Sequence, residues 1–183
     1  MAVYLAASRN RIATLTDDHA SILAAGQEAS ARAQGGLHGR LAAWIFAVEG
    51  RGLAGLGRLR EAEAAFAASE AALIKAEGEE PDMAFFDPVR LRALVGESYV
   101  LLDKPTQATR HLQEALREVE PARAKTHATI LLDSARAAIQ WRDHEQGRAL
   151  LDQACGIDRP ALVATHAQRV SIIERALAAT SAG

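Results

Sequence analysis

Apolar residues recur along the chain at the three- and four-residue spacing of an α-helix, and glycine, proline or short polar stretches separate the runs. No run alternates β-branched and polar residues in the way that predicts a strand. The pattern therefore predicts an all-α protein. Its helices are expected at about 2–14, 18–33, 37–56, 59–77, 87–102, 105–119, 122–140, 143–156 and 159–179.

Small residues recur where consecutive helices would cross, and most of the predicted connections are short enough to favour antiparallel neighbours. In three successive pairs the small residue of the first helix lies 12 positions before that of the second: Gly50 and Ala62, Gly96 and Ala108, Ala135 and Gly147. The preceding pair fits poorly. We expect a right-handed superhelical stack of antiparallel helix pairs, a tetratricopeptide-like α-solenoid. Its pairs would span about 2–33, 37–77, 87–119 and 122–156, and a C-terminal capping helix over 159–179 would complete a single domain of 1–183.

One segment carries a more specific resemblance. Residues 81–116, PDMAFFDPVRLRALVGESYVLLDKPTQATRHLQEAL, resemble the tetratricopeptide-like regions of actinobacterial helix-turn-helix transcriptional regulators. The paired phenylalanines at 85–86, Gly96 and the turn at 103–105 are the most specific positions, and weaker likeness extends to about residue 156. The resemblance implies a sensor or interaction domain that dimerises or binds a signal peptide. A DNA-binding part would lie outside this chain.

Composition narrows the classes of function. Of 183 residues, 49% are apolar but only 4% aromatic, which suits close packing of thin helical layers. The net charge of −2 argues against direct nucleic-acid contact, and the chain lacks the ~20-residue apolar run of a membrane span. The single Cys155 excludes an internal disulfide, so we expect a cytoplasmic protein, with Cys155 buried and inert.

The inner side of such a stack is the predicted ligand-binding groove. The residue after each small first-helix position usually faces that side, and helical spacing adds three more. Guanidinium groups in a row suit carboxylates or phosphates, so we expect an acidic peptide, or the carboxyl terminus of a peptide, as ligand. The alternatives are ordinary solvated arginines and a Trp44 that belongs to the core. The predicted groove residues are Tyr4, Arg11, Trp44, Arg51, Arg90, Glu97 and Arg136.

No catalytic or metal-binding pattern can be named. The glycines at 50–57 lack the lysine and hydroxyl of a phosphate-binding loop, and the six histidines lack metal-ligand spacing. We therefore expect no enzyme, no metal and no cofactor. His19 and His144 occupy equivalent places near the starts of second helices, which favours a structural role.

The leading hypothesis is a protein- or peptide-binding module that forms the regulatory region of a cytoplasmic bacterial transcriptional regulator. A small-molecule sensor with an apolar groove is one alternative, and an accessory protein of secondary metabolism is another. The last predicted helix carries many apolar residues, including Ile173 and Leu177. It would cap the final pair, and its exposed remainder would allow a homodimer.

Overall fold

The computed structural model describes residues 18–32, 39–76, 83–157 and 164–180. Within these ranges the chain forms eight α-helices and no strand, which confirms the all-α prediction for the described residues. The predicted helix at 2–14 lies outside them. The helices are α1 (His19–Arg32), α2 (Gly39–Gly55), α3 (Leu59–Ile74), α4 (Pro88–Leu101), α5 (Pro105–Glu118), α6 (Ala124–Gln140), α7 (His144–Gly156) and α8 (Ala164–Thr180).

Aspartate side chains fix the starts of three helices. The carboxylate of Asp87 accepts a hydrogen bond from the backbone N–H of Arg90 at 2.7 Å, and Pro88 takes the first helical position of α4. Asp18 and Asp143 cap α1 and α7 in the same way, each through a 3.0 Å bond. These bonds satisfy N–H groups that have no partner within the helix, so local sequence alone sets these boundaries.

Three connections share one backbone geometry. Residues 56–58, 102–104 and 141–143 join α2 to α3, α4 to α5 and α6 to α7. The middle residue of each is left-handed: Gly57, Asp103 and Arg142 have φ angles of 75°, 53° and 60°. The next backbone N–H then donates to the carbonyl five residues earlier, at 2.9 Å in all three. This turn closes the end of a helix and redirects the chain within three residues.

The small residues predicted at helix crossings do mark close contacts. A Cβ on Gly50 would lie 2.5 Å from the ring of Phe66, and a Cβ on Gly96 would lie 2.6 Å from Leu112 Cγ. Each glycine thus lets α2 approach α3, or α4 approach α5, more closely than a larger side chain would permit.

Three apolar clusters run along the chain. The first joins α1 to α4 around Ile45 and Phe86, the second joins α4 to α6 around Leu112, and the third joins α6, α7 and α8. Helices α2, α4, α6 and α8 contact one another in succession. They therefore form one continuous row, which positions the site described below.

The C-terminal helix covers the end of this row. Ile173 and Leu177 are 1% and 3% exposed against α6 and α7. Large exposed apolar side chains occur elsewhere in the described chain, at Leu56, Ile74, Phe85 and Trp141. A homodimer through α8 stays a prediction. In the described ranges, no helix combines the length and apolar character needed to cross a membrane.

Candidate functional site: a buried charge cluster

Six charged side chains from four helices meet on the row formed by α2, α4, α6 and α8. We call them the charge cluster: Arg51, Arg90, Glu97, Asp133, Arg136 and Arg169. Three of its members are almost inaccessible to solvent, since Arg51, Glu97 and Asp133 are 6%, 5% and 1% exposed. Charges this deep require close partners, because desolvation of an unpaired ion is very unfavourable.

Glu97 is the centre of the cluster. Its Oε1 accepts hydrogen bonds from Arg51 Nη2 at 2.8 Å and from Arg169 Nη2 at 2.6 Å. Burial alone would raise the pKa of Glu97, but Arg169 and Arg51 lower it well below its usual value. Glu97 is therefore ionised at neutral pH, and it joins α2 and α8 to α4.

Asp133 is the second carboxylate of the cluster. Arg169 Nη1 donates to both carboxylate oxygens of Asp133 at 2.8 Å, while Arg136 Nη1 lies 3.9 Å away. Burial raises the pKa of Asp133 to about 6, against the attraction of Arg169. Arg169 thus bridges the two carboxylates, and it brings the last helix onto α4 and α6.

Two guanidinium groups of the cluster are left without hydrogen-bonding partners among the described residues. Arg90 and Arg136 are both half-buried, and the side chain of Arg136 is 27% exposed. Burial lowers the pKa of Arg90, and the positive charges of Arg169 and Arg51 lower it further against the attraction of Glu97 and Asp133. Four arginines therefore face two carboxylates, which leaves a formal excess of two positive charges.

A buried histidine lies beside the cluster. His166 is 2% exposed, and its Nε2 lies 2.8 Å from Thr129 Oγ1. The Thr129 hydroxyl donates to the carbonyl of Lys125 at 2.9 Å, so His166 Nε2 must carry the proton that Thr129 accepts. The Nδ1 of the neutral ring is then a buried acceptor, and it has no hydrogen-bonding partner among the described residues. Burial lowers the pKa of His166 to about 4, and Arg169, Lys125 and Arg90 act in the same direction.

Four of the seven predicted groove residues belong to the cluster: Arg51, Arg90, Glu97 and Arg136. Arg51 is ion-paired and buried, so it is not the solvated arginine of the sequence-based alternative. Trp44 lies in the first apolar cluster, the alternative that the sequence left open, and its ring meets Phe85 edge-on at a centroid distance of 5.6 Å. The remaining two, at positions 4 and 11, lie outside the described residues.

Sequence reasoning missed Asp133, Arg169 and His166. One signal could have revealed the first two, because opposite charges recur 36 residues apart. Arg169 pairs with Asp133 at this separation, and Arg123 pairs with Asp87 at the same one. This recurrence of opposite charges at one separation is visible in the sequence before the fold is known.

The prediction for Cys155 was wrong in one respect, since this cysteine is exposed rather than buried. The predicted equivalence of His19 and His144 agrees with their environments. Both have a buried Nδ1 without a hydrogen-bonding partner, and the His19 ring fills the space beside Gly55.

A groove of about 610 Å³ lies on the other side of α4, between α3 and α5. Phe66, Leu91 and Val95 contribute apolar surface. Across it, the Tyr99 hydroxyl donates to Glu63 at 3.1 Å, and the Tyr99 and His111 rings stack with centroids 5.5 Å apart. This groove is separate from the charge cluster in the residues that line it.

The described residues contain no group of three histidine, cysteine or carboxylate side chains arranged to hold a metal ion. What the cluster can do is donate hydrogen bonds to, and neutralise, an anionic group. Comparisons of the chain with protein-family profiles, with curated proteins and with solved structures each returned no match.

Proposed function

We propose that this chain is a protein- or peptide-binding module that recognises acidic groups through the row of α2, α4, α6 and α8. The observation that carries the proposal is the excess of arginine over carboxylate where the four helices meet. Among the described residues, the guanidinium groups of Arg90 and Arg136 have no hydrogen-bonding partner, and such groups favour ligands that bring carboxylates or phosphates.

The proposed architecture is a right-handed superhelix of antiparallel pairs, with the charge cluster on its inner side. The shared three-residue turns support it, because links this short favour reversal of the chain direction. The glycine contacts at Gly50 and Gly96 support it too, since both occupy the same position relative to the next helix. Stacks of this type present extended inner surfaces to peptides.

The resemblance of residues 81–116 to regions of transcriptional regulators suggests a cellular role for this binding module. It favours the regulatory region of a cytoplasmic bacterial transcriptional regulator, with a peptide or protein as its signal and no direct nucleic-acid contact. The net charge of −2 agrees with that division of labour.

The test is a peptide array probed with the full chain. Ten-residue peptides carry glutamate or glutamine at the same positions, and each is made with a free or an amidated carboxyl terminus. We expect glutamate-containing or free-carboxylate peptides to bind, and Arg136→Ala to weaken them at least tenfold. Arg148→Ala, an exposed arginine of α7, is the matched control. Equal binding of acidic and neutral peptides contradicts the proposal.

A second candidate is a small-molecule sensor, and the groove between α3 and α5 favours it. Its volume of about 610 Å³ matches that of ordinary ligand pockets, and it combines apolar surface with a few polar groups. Ala67→Trp, at an exposed residue of α3 that lines the groove, would fill it without touching the charge cluster. A ligand that stabilises the unsubstituted chain but not this variant would identify the groove as its site.

A further inference from the structure

The charge cluster contains four arginines and two carboxylates, and this excess of positive charge favours the binding of an anion. In the part of the chain that the structure describes, Glu97 and Asp133 accept hydrogen bonds from Arg51 and Arg169. The guanidinium groups of Arg90 and Arg136 donate no hydrogen bond there, and Arg136 keeps only a long ion pair with Asp133 at 3.9 Å. Arg90 and Arg136 are both half-buried, where water screens charge less than it does at the surface. An excess of positive charge in such a place is unfavourable unless an anion offsets it.

The buried His166 gives a second, independent observation. Its Nδ1 has no hydrogen-bonding partner in the described residues although it lies beside cationic Arg90, Arg169 and Lys125. Buried polar atoms are normally satisfied, and an orphaned one calls for an explanation. Burial, and then the repulsion from these cations, keep the ring neutral. An anion among the cations would favour the charged ring, and the protonated Nδ1 would then become a donor.

From these observations we infer that the cluster binds one oxyanion, a carboxylate or a phosphate, held by Arg90 and Arg136 with proton uptake by His166. The inference rests on the proposed function and names the chemical group that the ligand presents. Arg51 and Arg169 act as positioning residues, because they are committed to Glu97 and Asp133. The guanidinium forks of Arg90 and Arg136 provide the paired donors that a carboxylate or phosphate accepts.

Two small probes separate the sources of the oxyanion. N-acetylglycine represents the carboxyl terminus of a peptide, and inorganic phosphate represents a phosphate group. Each is added to the full chain at constant ionic strength made up with chloride, and N-acetylglycinamide is the neutral control. We expect at least one oxyanion at about ten times its Kd to raise the Tm by roughly 3–6 °C over chloride. The probe with the larger effect identifies the preferred group.

Variants then locate the site. Arg90→Gln and Arg136→Gln are expected to abolish the rise in Tm, whereas Arg148→Gln on α7 keeps it. Circular dichroism confirms that each variant is folded before the probes are added. The inference is overturned when chloride stabilises the chain as much as both oxyanions do, or when Arg90→Gln and Arg136→Gln retain the full rise.

Proton uptake by His166 can be measured as a pH dependence of oxyanion affinity, which a purely structural role of His166 would not produce. Because N-acetylglycine stays ionised between pH 6 and 8, its affinity is expected to rise as the pH falls across that range. The groups that act on His166 are Arg90, Lys125 and Arg169, and nearby Glu97 and Asp133 belong to the same titration. His166→Gln should keep binding and lose the pH dependence. A pH dependence that persists in His166→Gln overturns the proton uptake.

These outcomes differ from those of the peptide array. Peptides that bind equally well to Arg90→Gln while both small oxyanions fail would leave the binding module standing and remove the oxyanion site. If the small oxyanions bind while every peptide fails, the oxyanion site stands and the peptide-binding module is contradicted.

Discussion

Glu97 shows how a single buried carboxylate can hold distant segments together. It accepts hydrogen bonds from Arg51, 46 residues earlier, and from Arg169, 72 residues later. Removing one charged partner of such a network leaves the remaining charges buried without an opposite charge beside them. The energetic effect of Glu97 therefore exceeds what its own contacts suggest.

We predict that Glu97→Gln destabilises the protein by about 3–5 kcal/mol, because Arg51 and Arg169 keep their charges but lose the anion between them. The free energy of unfolding from urea denaturation measures the effect. Glu61→Gln removes the exposed ion pair with Arg58 and serves as the matched control. A loss for Glu97→Gln as small as that for the control would show that the network contributes little.

His166 predicts a specific pH dependence of stability. Its pKa is about 4 in the folded chain, below the ordinary value of 6.5, so the unfolded chain takes up the proton first. Its contribution is present above pH 6.5 and is lost as the pH falls towards 4. Asp133, with its pKa raised to about 6, acts oppositely, because the folded chain takes up that proton first.

Comparing two chains isolates the histidine from the aspartate. Glutamine at 166 retains a donor for Thr129 but does not titrate. We expect the stability deficit of His166→Gln to shrink by about 1–2 kcal/mol between pH 7 and pH 5, because each pKa unit corresponds to about 1.4 kcal/mol. Urea unfolding at both pH values gives the two deficits. A deficit that stays constant would mean that His166 titrates normally in the folded chain.

At the scale of helices, the contact between α1 and α2 depends on backbone closeness. A Cβ on Gly52 would lie 2.6 Å from the backbone nitrogen of Leu23, and backbone cannot move aside as a side chain does. We predict that Gly52→Ala destabilises the protein by about 1–3 kcal/mol. Gly156→Ala is the control, because nothing lies within 4 Å of its added Cβ. Its thermal unfolding should be unchanged or shifted upward. Equal stability of the two variants would show that close backbone contact at Gly52 does not limit the packing of α1 on α2.

Helices and their ends could be predicted from sequence because their causes are local. Asp87 and Pro88 start α4 through neighbours three residues away, and Gly50 and Gly96 reveal crossings through their own small size. The charge cluster could be predicted only in part. Arg51, Glu97 and Arg136 follow small positions, but the partnership of Arg169 depends on how α8 docks, which no neighbouring residue specifies.

At the scale of the whole molecule, α8 contributes to both the third apolar cluster and the charge cluster. Its apolar side covers α6 and α7 through Ile173 and Leu177, and its Arg169 forms ion pairs with both Glu97 and Asp133. In arrays where each unit contacts only its neighbours, stability is close to a sum over interfaces. Loosening α8 should therefore affect the C-terminal part of the chain first.

We predict that Ile173→Ala destabilises the protein by about 2–5 kcal/mol, as expected for truncating a fully buried aliphatic side chain. Amide hydrogen exchange should accelerate in α6 and α7 more than in α1, α2 and α3. Ile172→Ala, at a half-buried neighbour, controls for loss of helix-surface contacts and should be milder. Uniform acceleration across all helices would instead indicate one all-or-none unit.

The order of Glu97, Asp133 and Arg169 along the chain has a consequence for biosynthesis. A ribosome makes α4 and α6 before α8, so both carboxylates are synthesised before the guanidinium group that bridges them. Burying these carboxylates without Arg169 is unfavourable, because an ion that leaves water needs a close partner. The complete charge cluster therefore forms only after α8 has been synthesised.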